Sequence, residues 1–273
     1  MSPQLKLLTF ENIKYIYPCS QRPAVDNLTV SIPQYRRCAI IGRNGCGKTT
    51  LFRLANGLYR PQKGVISWQG KPLSYHRQAL NQLRHQIGLV FQNPEQQLVA
   101  TTVAEDISYG LCNLGLPESE IIQRVQKALS DFDLIHLADA PINYLSLGQK
   151  KRVSIADVMV LQPKLLLLDE PTAYLDPQQI RNFHKTLETI QNAGTTVVLA
   201  THNLDFVEAW ADWVIVMDAG QVVLTGTPET VFNQEQKMLD LGLGIPLVYE
   251  FLKTIQDEIS PEKAEQIRQR LRD

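Results

Sequence analysis

The 273-residue sequence has no surplus of charge of either sign, with 27 lysines and arginines against 28 aspartates and glutamates. A protein that tracks nucleic-acid phosphates normally carries a marked basic excess, so bulk composition argues against DNA or RNA as a partner. Long apolar runs are also missing. The opening MSPQLKLLTF has no extended hydrophobic core of the signal-peptide kind, and no later segment approaches the ~18 apolar residues that span a bilayer. The expectation is a soluble, cytosolic chain. Cysteine is scarce, and Cys19, Cys38, Cys46 and Cys112 show no C-x-x-C spacing, which argues against a zinc knuckle or a disulfide scaffold and predicts reduced thiols. Low-complexity tracts and internal repeats are absent.

What is present is a series of buried-strand patterns separated by helical ones. RCAII (37–41), QIGLVF (86–91), KLLLLDE (164–170), TTVVLAT (195–201) and DWVIVMD (212–218) are short apolar runs. Several end in polar residues, as central parallel strands do where their C-terminal ends open onto a site. The pattern predicts an α/β chain, long enough for one large domain with an appendage or for two small ones. Between residues 93 and 160 the texture turns helical. There GLPESEIIQRVQKALSDFDLIHLAD predicts a capped amphipathic helix with Ile121, Ile122, Val125, Ala128 and Leu129 on one face. From Gln234 the chain turns polar, and EFLKTIQDEISPEKAEQIRQRLRD predicts two short helices broken at Ser260-Pro261.

The strongest chemical signal is GRNGCGKTT, Gly42 to Thr50. It follows a predicted strand, precedes the helical pattern LFRLANGL and matches G-x-x-x-x-G-K-[ST] at each fixed position. Glycines let successive backbone N–H groups wrap phosphate oxygens, Lys48 supplies a mobile cation for the β- and γ-phosphates, and the Thr49 hydroxyl can ligate Mg2+. The nucleotide-binding candidates here are Gly42, Asn44, Gly45, Cys46, Gly47, Lys48, Thr49 and Thr50, with Cys46 as the small side chain that a crowded loop tolerates. KLLLLDE supplies the complement. Its leucines lead to Asp169, placed to hold Mg2+ directly or through water, and to Glu170, placed to orient or deprotonate an attacking water. These two motifs leave the class of phosphate-loop enzyme open, although the Asn-Lys-x-Asp guanine reader of a GTPase does not occur.

The stretch LSLGQKKR, from Leu145, narrows the choice. Helix starts favour acidic side chains because their free N–H groups carry partial positive charge, yet Lys150, Lys151 and Arg152 follow here, which points to an anion at this end. Placed upstream of KLLLLDE, the stretch resembles the signature motif of ATP-binding cassette ATPases, usually Leu-Ser-Gly-Gly-Gln. Tyr17 resembles that family's adenine-stacking aromatic, with Tyr15 as its competitor on the same side. Gln92 resembles the glutamine after a core strand, Asp176 the D-loop aspartate and His202 the switch histidine. Plainer readings exist for each: a satisfied strand-end amide for Gln92, a helix-start histidine for His202, and a helix cap before Pro177 for Asp176. The resemblance runs to about Phe232.

That resemblance implies a P-loop NTPase (RecA-like) core with a mostly parallel sheet, an antiparallel β-subdomain near the N-terminus and an inserted α-helical subdomain. The nucleotide-binding domain would be 1–233, its helical subdomain about 93–160, and a small C-terminal helical extension 234–273. ATP and Mg2+ are the implied cofactors, with Thr49, Gln92 and Asp169 at the metal and Lys48, Gln92, Glu170 and His202 in catalysis. In the family two cassettes pack head to tail. Ser146, Gly148 and Gln149 of one would then meet the γ-phosphate held by the other, with Asp176 bridging the two, so the anion would come from the partner subunit. Leu147 replaces the first signature glycine. It is harmless if it points away from the nucleotide and strained if the position needs a positive φ.

FQNPEQQLVATTVAEDISYG (91–110), FENIKYIYP (10–18) and MLDLGLGIPLVYEFLKTI (238–255) are similar to segments of the ATPase subunits of energy-coupling-factor transporters, importers of cobalt, nickel and vitamins. This implies a peripheral position on the cytoplasmic face of the cell membrane. Residues Gln92 to Thr102 would cradle an integral scaffold subunit, a second membrane subunit would bind the substrate, and the tail would help to hold a homodimer or a heterodimer with a related ATPase. An exporter ATPase and a soluble cassette ATPase are the competing readings. A DNA-repair cassette would need a long coiled-coil insertion, for which the interval from Lys48 to Ser146 has no room. A ribosome-acting type usually has two cassettes in one chain.

Overall fold

The computed structural model describes residues 6–255 together with Lys263, Gln266 and Ile267, so the expected break at Ser260-Pro261 lies outside the described residues. The chain divides into two compact units, Met1–Leu73 with Leu199–Asp273, and Ser74–Val198. In the first unit, β1 (Lys6–Tyr15) pairs antiparallel with β2 (Val25–Pro33). Then follow β3 (Arg37–Ile41), α1 (Lys48–Ala55), β4 (Lys63–Trp68) and β5 (Lys71–Pro72). Strands β2, β1, β4 and β5 form a four-stranded antiparallel sheet in that order. Leu8 and Phe10 are buried on β1, and the alternation slips at a bulge before Ile13, where Asn12 takes φ 51°. β3 is different: Cys38, Ala39, Ile40 and Ile41 are all buried, the continuous apolar run of a strand covered on both faces.

The second unit contains α2 (Arg77–Gln86), β6 (Ile87–Val90), α3 (Val103–Cys112), α4 (Glu118–Asp131), α5 (Leu147–Met159), β7 (Leu165–Asp169) and α6 (Pro177–Asn192). β6 and β7 run parallel, with Ile87 opposite Leu165 and Val90 opposite Leu168. The amphipathic helix expected in this region is α4, with two corrections. Pro117 occupies its N-cap and provides no side-chain cap, and Ile122 is 50 % exposed. Full burial begins only at Val125 and continues through Ala128 and Leu129, while Ile121 is half-buried, so the buried stripe is narrower than the sequence pattern suggests.

A part-buried polar cluster ties α3 and α5 to the segment between β6 and α3. The Asp106 carboxylate accepts from the N–H groups of Val99 and Ala100, each at 2.8 Å. Gln97 Nε2 donates to the Ser154 carbonyl at 2.7 Å and to Asp157 Oδ2 at 3.2 Å. Burial pushes the Asp157 carboxyl up to about 7; the Gln97 hydrogen bond opposes this and the nearby Asp106 charge reinforces it. Because the folded pKa lies above the unfolded one, the stability linked to this group is present at low pH and is lost as pH rises through about 7. Asp157→Asn is therefore expected to raise Tm by ~5 °C at pH 8, with the gain shrinking towards pH 4.5. Thermal unfolding at both pH values checks this, and an equal shift at both would refute it.

β8 (Thr196–Thr201) crosses the boundary between the units. The chain then completes the first unit with α7 (Leu204–Trp210), β9 (Trp213–Asp218), β10 (Gln221–Gly226), α8 (Pro228–Phe232), α9 (Glu235–Asp240) and α10 (Leu247–Thr254). β9 pairs parallel with β3 and antiparallel with β10. The Arg37 guanidinium and backbone N–H both hold the Asp212 carboxylate, which fixes the entry of β9 beside that of β3. All five strands expected from apolar runs are present. Among the described residues no helix is long and apolar enough to cross a membrane.

Candidate functional site

In the first unit, residues 42–47 link the buried end of β3 to α1. A Cβ on Gly42 would run into the Met217 carbonyl oxygen and Cys46 Sγ, and Gly47, at φ 109°, has the Ala24 carbonyl against the same space. Both positions therefore require glycine. Lys48 is buried, and its Nζ turns back to donate to the carbonyls of Gly42 at 2.6 Å and Arg43 at 3.3 Å, closing the loop on itself. α1 has neither a side-chain cap nor an acidic residue in its first turn, so its leading N–H groups suit an external anion. Asn44 and Gly45 are exposed at the tip, while burial raises the Cys46 thiol against the pull of Lys48 and keeps it a neutral filler. This cradle fits a polyphosphate.

The two tyrosines separate clearly. Tyr15 is buried and stacked on Tyr59, with ring centroids 5.0 Å apart and planes 5° from parallel. Tyr17 lies beyond the end of β1, half-buried and edge-on to both rings, and its hydroxyl shares a 2.9 Å hydrogen bond with Thr50 Oγ1. Tyr15 is thus committed to the core, whereas Tyr17 is tied to the phosphate loop. His202 is exposed directly after β8. Capping of α7 falls to Asn203, whose side chain accepts from Phe206 N at 3.0 Å, so His202 is not the helix-start residue of the plainer reading.

In the second unit, β7 delivers Asp169 and Glu170, both buried, and Glu170 adopts φ 46°. Gln92 is exposed just after β6, and Thr102 opens α3 through a capping box with Glu105. Ser146 caps α5: its Oγ accepts from Gln149 N at 3.3 Å, and Gln149 Oε1 accepts from Ser146 N at 2.8 Å. The Ser146 hydroxyl proton and the N–H groups of Leu147 and Gly148 remain as donors at the open end of the helix. Asp176 caps α6 by accepting from Gln179 N at 2.8 Å, with Pro177 at the first helical position.

Leu147 is the first residue of α5, with helical backbone angles and no positive φ. Nothing in its backbone demands glycine. Leu147→Gly is accordingly expected to leave ATP turnover within about three-fold of the parent in a steady-state assay, since what it removes is a part-exposed side chain and the helix propensity of one residue. A large gain would show that leucine obstructs the site.

The three cations of the stretch do not wait for an anion from outside, which corrects the expectation drawn from the helix dipole. Lys150 pairs with Glu95 at 3.0 Å and Arg152 with Asp133 at 3.1 Å. Lys151 is buried and donates to the carbonyls of Glu170, Pro171 and Ala173. Burial lowers its ammonium to about 8, with the Glu170 charge opposing. Each cation is answered by a loop distant in sequence, which a local reading of LSLGQKKR does not reveal. The structure adds Tyr59, not singled out beforehand, as a support beside Tyr17, and it places Lys151, expected only as one of three cations facing an anion, beneath Glu170.

Comparison with known proteins agrees with this arrangement. The family described as "ABC transporter" matches residues 25–173. A protein of Nostoc sp. provisionally named an ABC transporter ATP-binding protein is 57 % identical over 268 residues, covering 98 % of both chains. The energy-coupling factor transporter ATP-binding protein EcfA3 of Clostridium perfringens is 40 % identical, over 92 % of this chain and 88 % of its own. Among solved structures, cbiO1 of Clostridium perfringens, described as part of the ABC transporter complex cbiONQ, superposes with TM-score 0.78 at 40 % identity, over 91 % of this chain and 99 % of its own. With this fold, this phosphate cradle and these relatives, the chain belongs to the ABC transporter family, as an ATPase that groups with the energy-coupling-factor ATP-binding proteins.

Proposed function

We propose that the chain is the ATP-hydrolysing subunit of an energy-coupling-factor type importer for a metal ion, cobalt or nickel, or for a vitamin. It works as a head-to-tail dimer with a second copy or with a related ATPase. The observation that carries this reading is the start of α5. Its cap is built from Ser146 and Gln149, its first turn holds no acidic residue, and its neighbouring cations are engaged within their own chain. The donors left at that end suit a γ-phosphate presented by another subunit. The names of EcfA3 and cbiO1 support the transporter class and the presence of membrane subunits.

In this reading residues 1–233 form the nucleotide-binding domain, with the helical subdomain at about 93–160. Tyr17 stacks on the adenine, and Gly45, Gly47, Lys48, Thr49 and Thr50 hold the phosphates. Thr49, Asp169 and Gln92 offer oxygen ligands to Mg2+, which when bound neutralises charge between the β- and γ-phosphates. Glu170 orients water in line with the γ-phosphorus, and His202 and Gln92 stabilise the developing charge. Ser146 and Gly148 of the other subunit complete the site on closure, and hydrolysis lets the dimer reopen. Residues Gln92 to Thr102 receive the integral scaffold subunit on the cytoplasmic membrane face, and residues 234–273 help to hold the dimer.

The test is a mild-detergent pull-down of the tagged protein from native membranes, with mass spectrometry of what accompanies it. A small integral scaffold with a substrate-binding membrane protein is the expected set, and the latter identifies the cargo. A two-domain exporter permease, or soluble partners alone, would overturn the importer reading and leave the ATPase chemistry standing.

A further inference from the structure

The turn that follows β7 is held in a conformation that L-residues seldom adopt. Glu170 has φ 46° and Tyr174 has φ 63°, two left-handed non-glycine residues within five positions. Such angles persist only where the surroundings over-determine them. One clamp is the turn's own hydrogen bond from Ala173 N to the Glu170 carbonyl, at 3.2 Å. The other is Lys151. Its Nζ lies 3.4 Å from the Glu170 carbonyl oxygen, 3.0 Å from that of Pro171 and 2.5 Å from that of Ala173. An ammonium has three N–H donors, and these carbonyls take all three, at a side chain only 7 % exposed.

We infer that Lys151 is a positioning residue for hydrolysis, pinning the turn that carries Glu170 to the opening turns of α5. This rests on the reading of Glu170 as the residue that orients the attacking water. The helix that carries Lys151 also presents the Ser146 hydroxyl and the Leu147 and Gly148 N–H groups at its open end, less than two turns away. A helix is stiff over that distance, so a phosphate engaged at the open end is linked to the backbone of Glu170 in the same chain. Lys151 thereby joins the contact made to one nucleotide to the chemistry performed on the other. A neutral side chain of similar length leaves three carbonyls without their donor and frees Glu170 from its fixed direction.

The experiment compares Lys151→Gln and Lys151→Met with the parent and with Glu170→Gln, measuring steady-state ATP turnover, equilibrium affinity for a fluorescent ATP analogue, and Tm. Lys151→Gln, which keeps two N–H donors, is expected to lose about 5-fold in kcat, and Lys151→Met about 30-fold, with analogue affinity within two-fold in both. This split is not what a merely structural residue produces, because loosening the fold would weaken binding as well. If the methionine variant does not fold, Lys151→Gln decides alone: a kcat within two-fold of the parent overturns the inference, as does a parallel loss of affinity and turnover. Glu170→Gln separates the two readings. Loss of turnover there with normal Lys151 variants sinks only the role of Lys151, whereas undiminished turnover in Glu170→Gln removes the ground for both.

Discussion

Glu170→Gln is expected to lower ATP turnover by at least about 100-fold while leaving nucleotide affinity within about two-fold. The substitution keeps the volume of a side chain that is only 6 % exposed, so the packing behind β7 survives. What it removes is the anionic oxygen that, in the proposed mechanism, orients and accepts a proton from water, and general-base catalysis of this kind contributes about 10²–10⁴-fold. The proposed phosphate contacts at residues 42–50 are untouched, so the proposed dimer is expected to bind ATP and to stay closed. Single-turnover hydrolysis of radiolabelled ATP, paired with equilibrium binding, checks both halves. Undiminished turnover would take Glu170 out of the chemistry.

Lys48→Met acts at the earlier step. Lys48 Nζ is held by two loop carbonyls, Gly42 and Arg43, on a side chain that is 6 % exposed, so the charge is already desolvated and aimed before any phosphate arrives. Methionine fills the same channel without charge or donors. Charge-assisted hydrogen bonds are worth about 1.5–3 kcal/mol each, and loss of those to two phosphates predicts a drop in ATP affinity of ~100-fold or more. Adenosine affinity should hardly change, because the proposed Tyr17 contact with adenine would remain. Titration calorimetry with ATP and adenosine distinguishes a lost phosphate clamp from a collapsed loop, in which both affinities fall. An ATP affinity within a few-fold of the parent would contradict the role given to Lys48.

The parts of the molecule that sequence makes legible are those whose cause is local. The apolar runs at 37–41, 164–170 and 212–218 are strands because a continuous buried face leaves little alternative, and β3, β7 and β9 begin and end within a residue or two of those runs. The proposed phosphate loop is legible because its motif spacing is local, and the structure requires glycine at 42 and 47 because the Met217 and Ala24 carbonyls press against those positions. Legibility fails where the cause is distant. Lys150, Lys151 and Arg152 look alike in sequence, yet one meets Glu95, one meets three carbonyls beyond β7, and one meets Asp133. Ile122 fits the helical stripe of α4 by spacing, but half of its surface faces solvent. Tyr15 and Tyr17 fall on one side by spacing, but β1 ends at Tyr15, which stacks on Tyr59, and Tyr17 lies beyond the strand with its hydroxyl on Thr50. The asparagine beside His202 takes the helix-start role that the plainer reading gave to His202.

The central claim, that each nucleotide site is completed by the signature residues of the other subunit, has a direct test in mixed dimers. Two differently tagged copies are co-expressed, one carrying Lys48→Met and the other Gly148→Asp, whose carboxylate would repel a phosphate at the start of α5. In a head-to-tail dimer both lesions fall in one site and the other site is intact, so the purified mixed dimer should hydrolyse ATP although each homodimer is inactive. Placing both substitutions on one copy and pairing it with an unaltered copy puts one lesion in each site, and that dimer should be inactive. The opposite pattern, activity in the second pairing and none in the first, would show that each chain completes its own site and would contradict the account.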